Sequence, residues 1–338
     1  MQNSSFEFCH TFLPKVSRTF ALSISQLKEP LRTEVCITYL ICRILDTIED
    51  SPSLSTQRKK EAITSFLEAL KNEKNKEDLL SEIFNELDGK SAENDADLLR
   101  NGRIVTSAFH STRKESQKAI YPWVEEMGKG MVLYCQKMEG KDSLKQIKTL
   151  RDLDDYCYYI AGTVGFMLTN LFKLNCENID NQKYEYLNKR ANDFGLALQK
   201  VNILKDIRDD YLRGWVFIPL ELLSKANIEP SDLLDENNGE KVFNSLSPLF
   251  ETLKKNLKSA FEYLTSIPET EKEVRLFLST SLFFAVATID LINKKKKDFL
   301  SQEKLKISRL QVSKILYDLE TKCSSNAKLQ KMWSKYQI

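Results

Sequence analysis

The sequence predicts an all-α protein, and three observations predict it. Glycine and proline are scarce, ten and eight in 338 residues, so few positions interrupt a helix. Apolar residues return at helical spacing through most of the chain, the pattern of amphipathic and buried helices. No run alternates apolar and polar residues between hairpin turn signals, so no strand pattern competes.

In chain order, the segments 31–49, 58–71, 122–135, 153–172, 184–210, 246–266, 272–297 and 307–323 each support a helix of three or more turns. The prolines (Pro14, Pro30, Pro52, Pro122, Pro219, Pro230, Pro248 and Pro268) fall mostly near the expected boundaries. Polar stretches at 72–78, 88–97, 139–145, 175–183 and 235–240 read as connectors. No low-complexity block or repeat of about 20–50 residues is visible, which excludes a solenoid. A hydrophobic content of 42% suffices for one large helical core, so the expectation is a single domain over 1–338.

Composition excludes several function classes. Fifty basic residues against 48 acidic ones leave no global field to gather nucleic acid. Two histidines, His10 and His110, rule against a His-rich zinc site and a Ser-His-Asp triad. Seven cysteines without CxxC spacing read as reduced thiols. The N-terminus has no basic segment leading into an apolar one, so the expected location is cytoplasmic. The apolar run 276–289 is short for a bilayer span and reads as a buried core helix, with no transmembrane segment expected. A minor reading lays its basic continuation, 294–297, on anionic headgroups as a peripheral membrane contact.

The sharpest feature is a pair of motifs of the form D-x-x-[ED]-D: Asp46, Glu49 and Asp50, then Asp206, Asp209 and Asp210. At about 100° per residue, the first and last acids of each motif share a helix face. Both motifs are preceded by apolar helix, VCITYLICRIL and FGLALQKVNILK, so clustered carboxylates emerge from largely buried helices. Such clusters suggest divalent cations. Each stripe extends N-terminally along its face, as Tyr39, Arg43, Asp46 and Asp50, and as Gln199, Asn202, Asp206 and Asp210. Mg²⁺ is typically held by a few carboxylates, waters and substrate phosphates. Two such motifs facing one another would clamp metal-bound diphosphates and stabilise a diphosphate leaving group.

Four ordered blocks resemble the squalene/phytoene synthase family over about 16–309: Ser17-Arg18-Thr19-Phe20; 39–50, containing the first motif; 156–165, reading YCYYIAGTVG; and 199–210, containing the second motif. The resemblance implies a class I isoprenoid synthase helical bundle with a central apolar cavity, acting on prenyl diphosphates, farnesyl diphosphate first. It implies that Asp46, Asp50, Asp206 and Asp210 bind Mg²⁺–diphosphate, supported by Glu49 and Asp209. Arg18 and Arg43 would grip diphosphate oxygens, with an intrahelical pair from Arg43 to Asp46 or Glu49 as the alternative. Tyr156 would handle the proton or cation at the reacting carbons. Phe20, Tyr39, Gln199, Asn202 and Lys205 would line the substrate, although the family usually carries arginine where Lys205 stands. Gly162 and Gly165 leave room for a prenyl chain or a close helix contact.

Within the family, the QKVN form of 199–202 points to head-to-head condensation of two farnesyl diphosphates through presqualene diphosphate, with NADPH reduction to squalene. Lys200, Asn202 and Lys306 are then the candidates for holding NADPH. Condensation to dehydrosqualene or phytoene without NADPH is the alternative reading, and a non-catalytic assembly factor of the same fold is a third.

Overall fold

The computed structural model describes residues 2–72, 82, 83, 86, 93–138 and 144–337. Most of the expected connectors at 72–78 and 139–145, and the first residues of the one at 88–97, lie outside the described residues. In chain order the α-helices are α1 (Gln2–Val16), α2 (Arg18–Ile24), α3 (Leu31–Asp50), α4 (Thr56–Lys71), α5 (Glu93–Arg100), α6 (Gly102–His110), α7 (Lys114–Lys137), α8 (Leu150–Cys157), α9 (Thr163–Asn175), α10 (Asn181–Leu212), α11 (Leu220–Lys225), α12 (Gly239–Ser245), α13 (Ser247–Ser266), α14 (Lys272–Lys294), α15 (Arg309–Lys322) and α16 (Asn326–Trp333). A π-helical turn, Tyr158–Gly162, joins α8 to α9. The all-α expectation holds, with one addition among the described residues: a parallel pair of two-residue strands, β1 (Lys145–Gln146) and β2 (Trp215–Val216).

The chain divides into two compact units, one formed by residues 1–137 with 166–177 and the other by 138–165 with 178–338. The sequence shows no change of composition at these crossings, which is why a single domain was the natural expectation.

The first unit is built on α3. Its Val35, Ile37, Leu40, Ile41, Ile44, Leu45 and Ile48 are buried, and α1, α5, α6 and α7 pack around them. A carboxylate is costly to bury unless its oxygens are paired. Glu34 meets that condition with Arg113 Nε at 2.9 Å, Ser116 Oγ at 2.5 Å and Asn175 Nδ2 at 3.0 Å. At the other end of α3, the buried Lys59 donates to the Glu49 carbonyl at 2.5 Å, satisfying a terminal acceptor beside the first motif. The connector expected at 88–97 contains the start of a helix, α5. Only Leu98 and Leu99 of α5 are buried, too short an apolar signal to read. Pro14 and Pro122 lie inside α1 and α7 rather than at boundaries.

The second unit is built on α10, a helix of 32 residues capped by Asp180, whose Oδ1 accepts from Lys183 N–H at 2.7 Å. It packs against α13, α14 and the π turn. Gly214 ends the α10 region with φ 86°, a left-handed conformation that glycine adopts at little cost, and the chain passes directly into β2. The contact with the π turn is made backbone to backbone. A Cβ on Gly195 would lie 2.1 Å from the Ala161 carbonyl oxygen, and one on Gly165 would lie 2.0 Å from that of Ala191. The room expected at Gly162 and Gly165 is therefore taken by a close helix contact. Gly165→Ala is expected to cost about 1–3 kcal/mol by forcing these helices apart, read as a lower urea midpoint. An unchanged midpoint would show that the contact yields freely.

Helix α14 runs 23 residues within the expected segment 272–297, and by length and composition alone it is long and apolar enough to cross a membrane. Yet 72% of its apolar window is buried. It also carries Arg275, wholly buried, which donates to the carbonyls of Cys323 and Ile267 at 2.5 Å each and to Asn326 Oδ1 at 2.6 Å.

Candidate active site

On α3, the polar stripe read from the sequence is the face that stays open. Apart from Arg32 and Cys42, the residues that are not buried are Tyr39, Arg43, Asp46 and Asp50. Glu49, one position round the helix from Asp50, is 2% exposed and turns away from that face. The open acids of the first motif are thus Asp46 and Asp50, with Glu49 behind them. Burial pushes the Asp46 carboxyl up to about 7, with Arg43 opposing and Asp50 and Asp95 adding to the rise.

Arg43 makes neither of the intrahelical pairs, to Asp46 or Glu49, that stood as the alternative to diphosphate binding. Its Nε and Nη2 grip Asp95 of α5 at 2.9 and 2.7 Å, a two-point contact that orients the guanidinium. Asp95 was not singled out in the sequence because it lies in an acidic stretch that read as a connector. Ser17 caps α2 through Phe20 N–H at 3.2 Å and hydrogen-bonds the Tyr39 side chain. The Phe20 ring sits 5.2 Å from that of Tyr39, so the first two sequence blocks meet here. The side chain of Arg18 lies outside the described residues.

On α10, the open face holds Gln199, Asn202, Lys205, Asp206 and Asp209, while Asp210 is 5% exposed. The stripe drawn through Asp210 is therefore corrected: Asp209 takes the outward position, and Asp210 is buried in a salt bridge with Arg213. The outward acids are compensated. Lys205 lies 3.3 Å from Asp206 Oδ2 and donates to Asn202 Oδ1 at 3.3 Å. Lys304, ninety-five positions along the chain from Asp209, lies 2.6 Å from Asp209 Oδ2 and contacts Asp206 Oδ1. Its hydrogen bond holds the Asp209 carboxyl below the usual range. Burial pulls the Lys304 ammonium down, but the two carboxylates outweigh it and hold it above the ordinary lysine range.

Tyr156 lies in the last turn of α8, in the same unit as the second motif. It is 4% exposed, and its ring stacks on Phe217 at 5.0 Å, with Phe217 in turn stacked on Trp215 of β2 at 5.3 Å. The strand that follows the second motif thereby fixes the tyrosine's ring. The π turn begins two residues later, a distortion frequent at functional sites. Tyr158 and Tyr159 pack edge to face within it, 5.0 Å apart.

Lys200, a candidate cofactor contact from the sequence, packs between helices. Its side chain is fully buried, with the ammonium 2.7 Å from Asp154, 2.8 Å from Asn256 Oδ1 and 3.1 Å from Thr252 Oγ1. Asn256 is itself held to Asp193 at 2.9 Å. These bonds join α10 to α8 and α13 and leave no donor facing a ligand. Asn202 and Lys306 remain exposed, and Lys306 lines an open groove of about 720 Å³ with Lys295, Lys304 and Gln311.

Among the described residues, no three His, Cys, Asp or Glu side chains converge as a ready-made metal cage. The donor set nevertheless fits Mg²⁺. Hard carboxylate oxygens stand in pairs on open helix faces, the carboxyl of Asp46 is pushed up chiefly by burial, and the other pair already attracts a cation.

With this geometry in place, the comparisons decide the family. The squalene/phytoene synthase description matches residues 13–311. The chain belongs to the squalene/phytoene synthase family. Similar relatives of this family member include a squalene synthase of Schizosaccharomyces pombe, 30% identical over 298 residues, 88% of this chain and 62% of the relative. A squalene synthase 1 of Arabidopsis thaliana is 29% identical over 303 residues, 88% of this chain and 68% of the relative. The chain thus spans less than two thirds of the fission-yeast relative. A solved structure of TcSQS with the ligand BPH1237 aligns with TM-score 0.82 and 28% identity, covering 98% of this chain and 91% of that one. The fold is that of a class I isoprenoid synthase.

Proposed function

We propose that this family member is a squalene synthase, condensing two farnesyl diphosphates head to head through presqualene diphosphate and reducing the product to squalene with NADPH. The observation that carries the reading is the pair of acidic stripes, each on the open face of an otherwise buried helix. Asp46 and Asp50 would hold Mg²⁺ with substrate diphosphate, and Asp206 and Asp209 would do the same on their own helix. The metal supplies Lewis acidity to the leaving group. Arg43, oriented by Asp95, binds diphosphate oxygens. Tyr156 offers a fixed phenol to the reacting carbons, accepting or stabilising charge as the carbon–carbon bond forms. Apolar helix faces exclude water from the cation. NADPH would supply the hydride of the reductive step; Asn202 and Lys306 would hold it, while Lys200 is taken up in helix packing. The names of the relatives support the squalene branch.

Incubation with farnesyl diphosphate and Mg²⁺, with and without NADPH, tests the branch. Squalene is expected with NADPH, and presqualene diphosphate or its solvolysis products without it. Dehydrosqualene or phytoene, formed equally in both arms, would leave the condensation standing and remove the reduction.

A further inference from the structure

The segment 301–308 joins the 3-10 turn Lys296–Asp298 to α15, and it is held at both ends. Before it, Phe299 packs edge-on against Phe243 at 5.5 Å. The preceding turn passes so close to α12 that a Cβ on Gly239 would lie 2.5 Å from the Lys297 carbonyl oxygen. At its far end, Ser308 and Gln311 form a reciprocal capping box on α15. In between, Gln302 N–H donates to Glu236 at 3.2 Å, and Ser301 Oγ donates to the Glu303 carbonyl at 2.5 Å. These anchors deliver the Lys304 ammonium to the open face of α10. Beneath it lies a cavity of about 20 Å³, bordered by Leu204, Asp209, Phe299 and Lys304, with room for about one water.

Exposed lysines commonly pair with a carboxylate one turn away on their own helix, and such pairs are weak. Lys304 instead comes from a distant segment and bridges two carboxylates at once, with its side chain only 24% exposed. A cation centred between two aspartates relieves their mutual repulsion, the task a divalent ion also performs. Two cations cannot share those oxygens without repelling each other.

We propose that Lys304 is the resident counter-ion of the second acidic motif, which a divalent cation displaces when it loads. The proposal rests on reading Asp206 and Asp209 as metal-binding residues. Lys304 keeps the two carboxylates neutralised and in register before loading, and it sets the cation concentration at which loading occurs.

Titration of the full chain with Mn²⁺, without substrate and followed by electron paramagnetic resonance, tests this. Lys304→Gln is expected to tighten Mn²⁺ binding about two- to fivefold, the range released when a competing ion pair is removed. Lys304→Arg, which keeps the charge, should stay near the parent protein. Hydrogen exchange at 301–308 should rise on Mn²⁺ addition in the parent only. Unchanged or weaker Mn²⁺ binding by Lys304→Gln would overturn the proposal. The same titration of Asp206→Asn separates the two readings. If that variant binds Mn²⁺ less tightly while Lys304→Gln is unchanged, the counter-ion proposal alone fails. If Asp206→Asn binds as the parent does, the metal reading fails, and the proposal with it.

Discussion

Asp46→Asn and Asp206→Asn are each expected to lower turnover of farnesyl diphosphate at least a hundredfold, on the order of what removing one electrostatic partner of a developing anion costs. Each change removes a negative ligand while keeping the shape of the side chain. Both positions lie on open helix faces, at the ends of helices whose apolar sides are fully packed, so the helical fold should survive. In Asp46→Asn the loss of a carboxyl already pushed up by burial relieves charge repulsion with Asp50 and Asp95, and thermal stability should hold or rise slightly. Steady-state kinetics across a Mg²⁺ series, with circular dichroism on the same samples, provides the check. Near-normal turnover at limiting Mg²⁺ in either variant would remove that stripe from the chemistry.

Tyr156→Phe is expected to lower turnover by about a hundredfold or more, within the range of a positioned acid–base group. The ring that stacks on Phe217 is retained, so thermal unfolding should move little. The arrested species matters as much as the rate. If the phenol acts during carbon–carbon bond formation, single-turnover quench experiments should show farnesyl diphosphate consumed slowly, with no build-up of the condensed diphosphate. A fully active variant would return Tyr156 to a packing role against the Trp215–Phe217 stack.

Much of this was legible in the sequence, for physical reasons that differ by element. Helices α3 and α10 were readable because their apolar residues keep a helical period over many turns while the acids interrupt it on one face. The same periodicity also misled. It placed Asp210 on the open stripe, but periodicity does not locate Arg213, the cation that pairs with it. Asp209 points outward, and Asp210 turns into that ion pair. In the first motif the order is reversed: Asp50 stays exposed and Glu49 is the buried acid. Lys200 carried a sequence signal, its place in the QKVN block, but the signal did not distinguish a ligand contact from the buried pairing with Asp154. Lys304 and Asp95 were out of reach, since each meets its partner across a long stretch of chain whose path no local pattern fixes. The π turn left one clue, the two glycines at 162 and 165, which marked a close approach without naming Ala191 as the neighbour.

The most direct test of the central claim uses farnesyl diphosphate supplied as an equal mixture of unlabelled and fully deuterated molecules, with Mg²⁺ and NADPH. Hydrocarbon products are then read by mass spectrometry. Head-to-head condensation predicts three mass clusters, the mixed cluster the most abundant and split by one mass unit according to which farnesyl unit loses its C1 hydrogen, and diphosphate released in proportion to hydrocarbon formed. Products built from a single farnesyl chain, showing only the two parental labels and no mixed species, would contradict it.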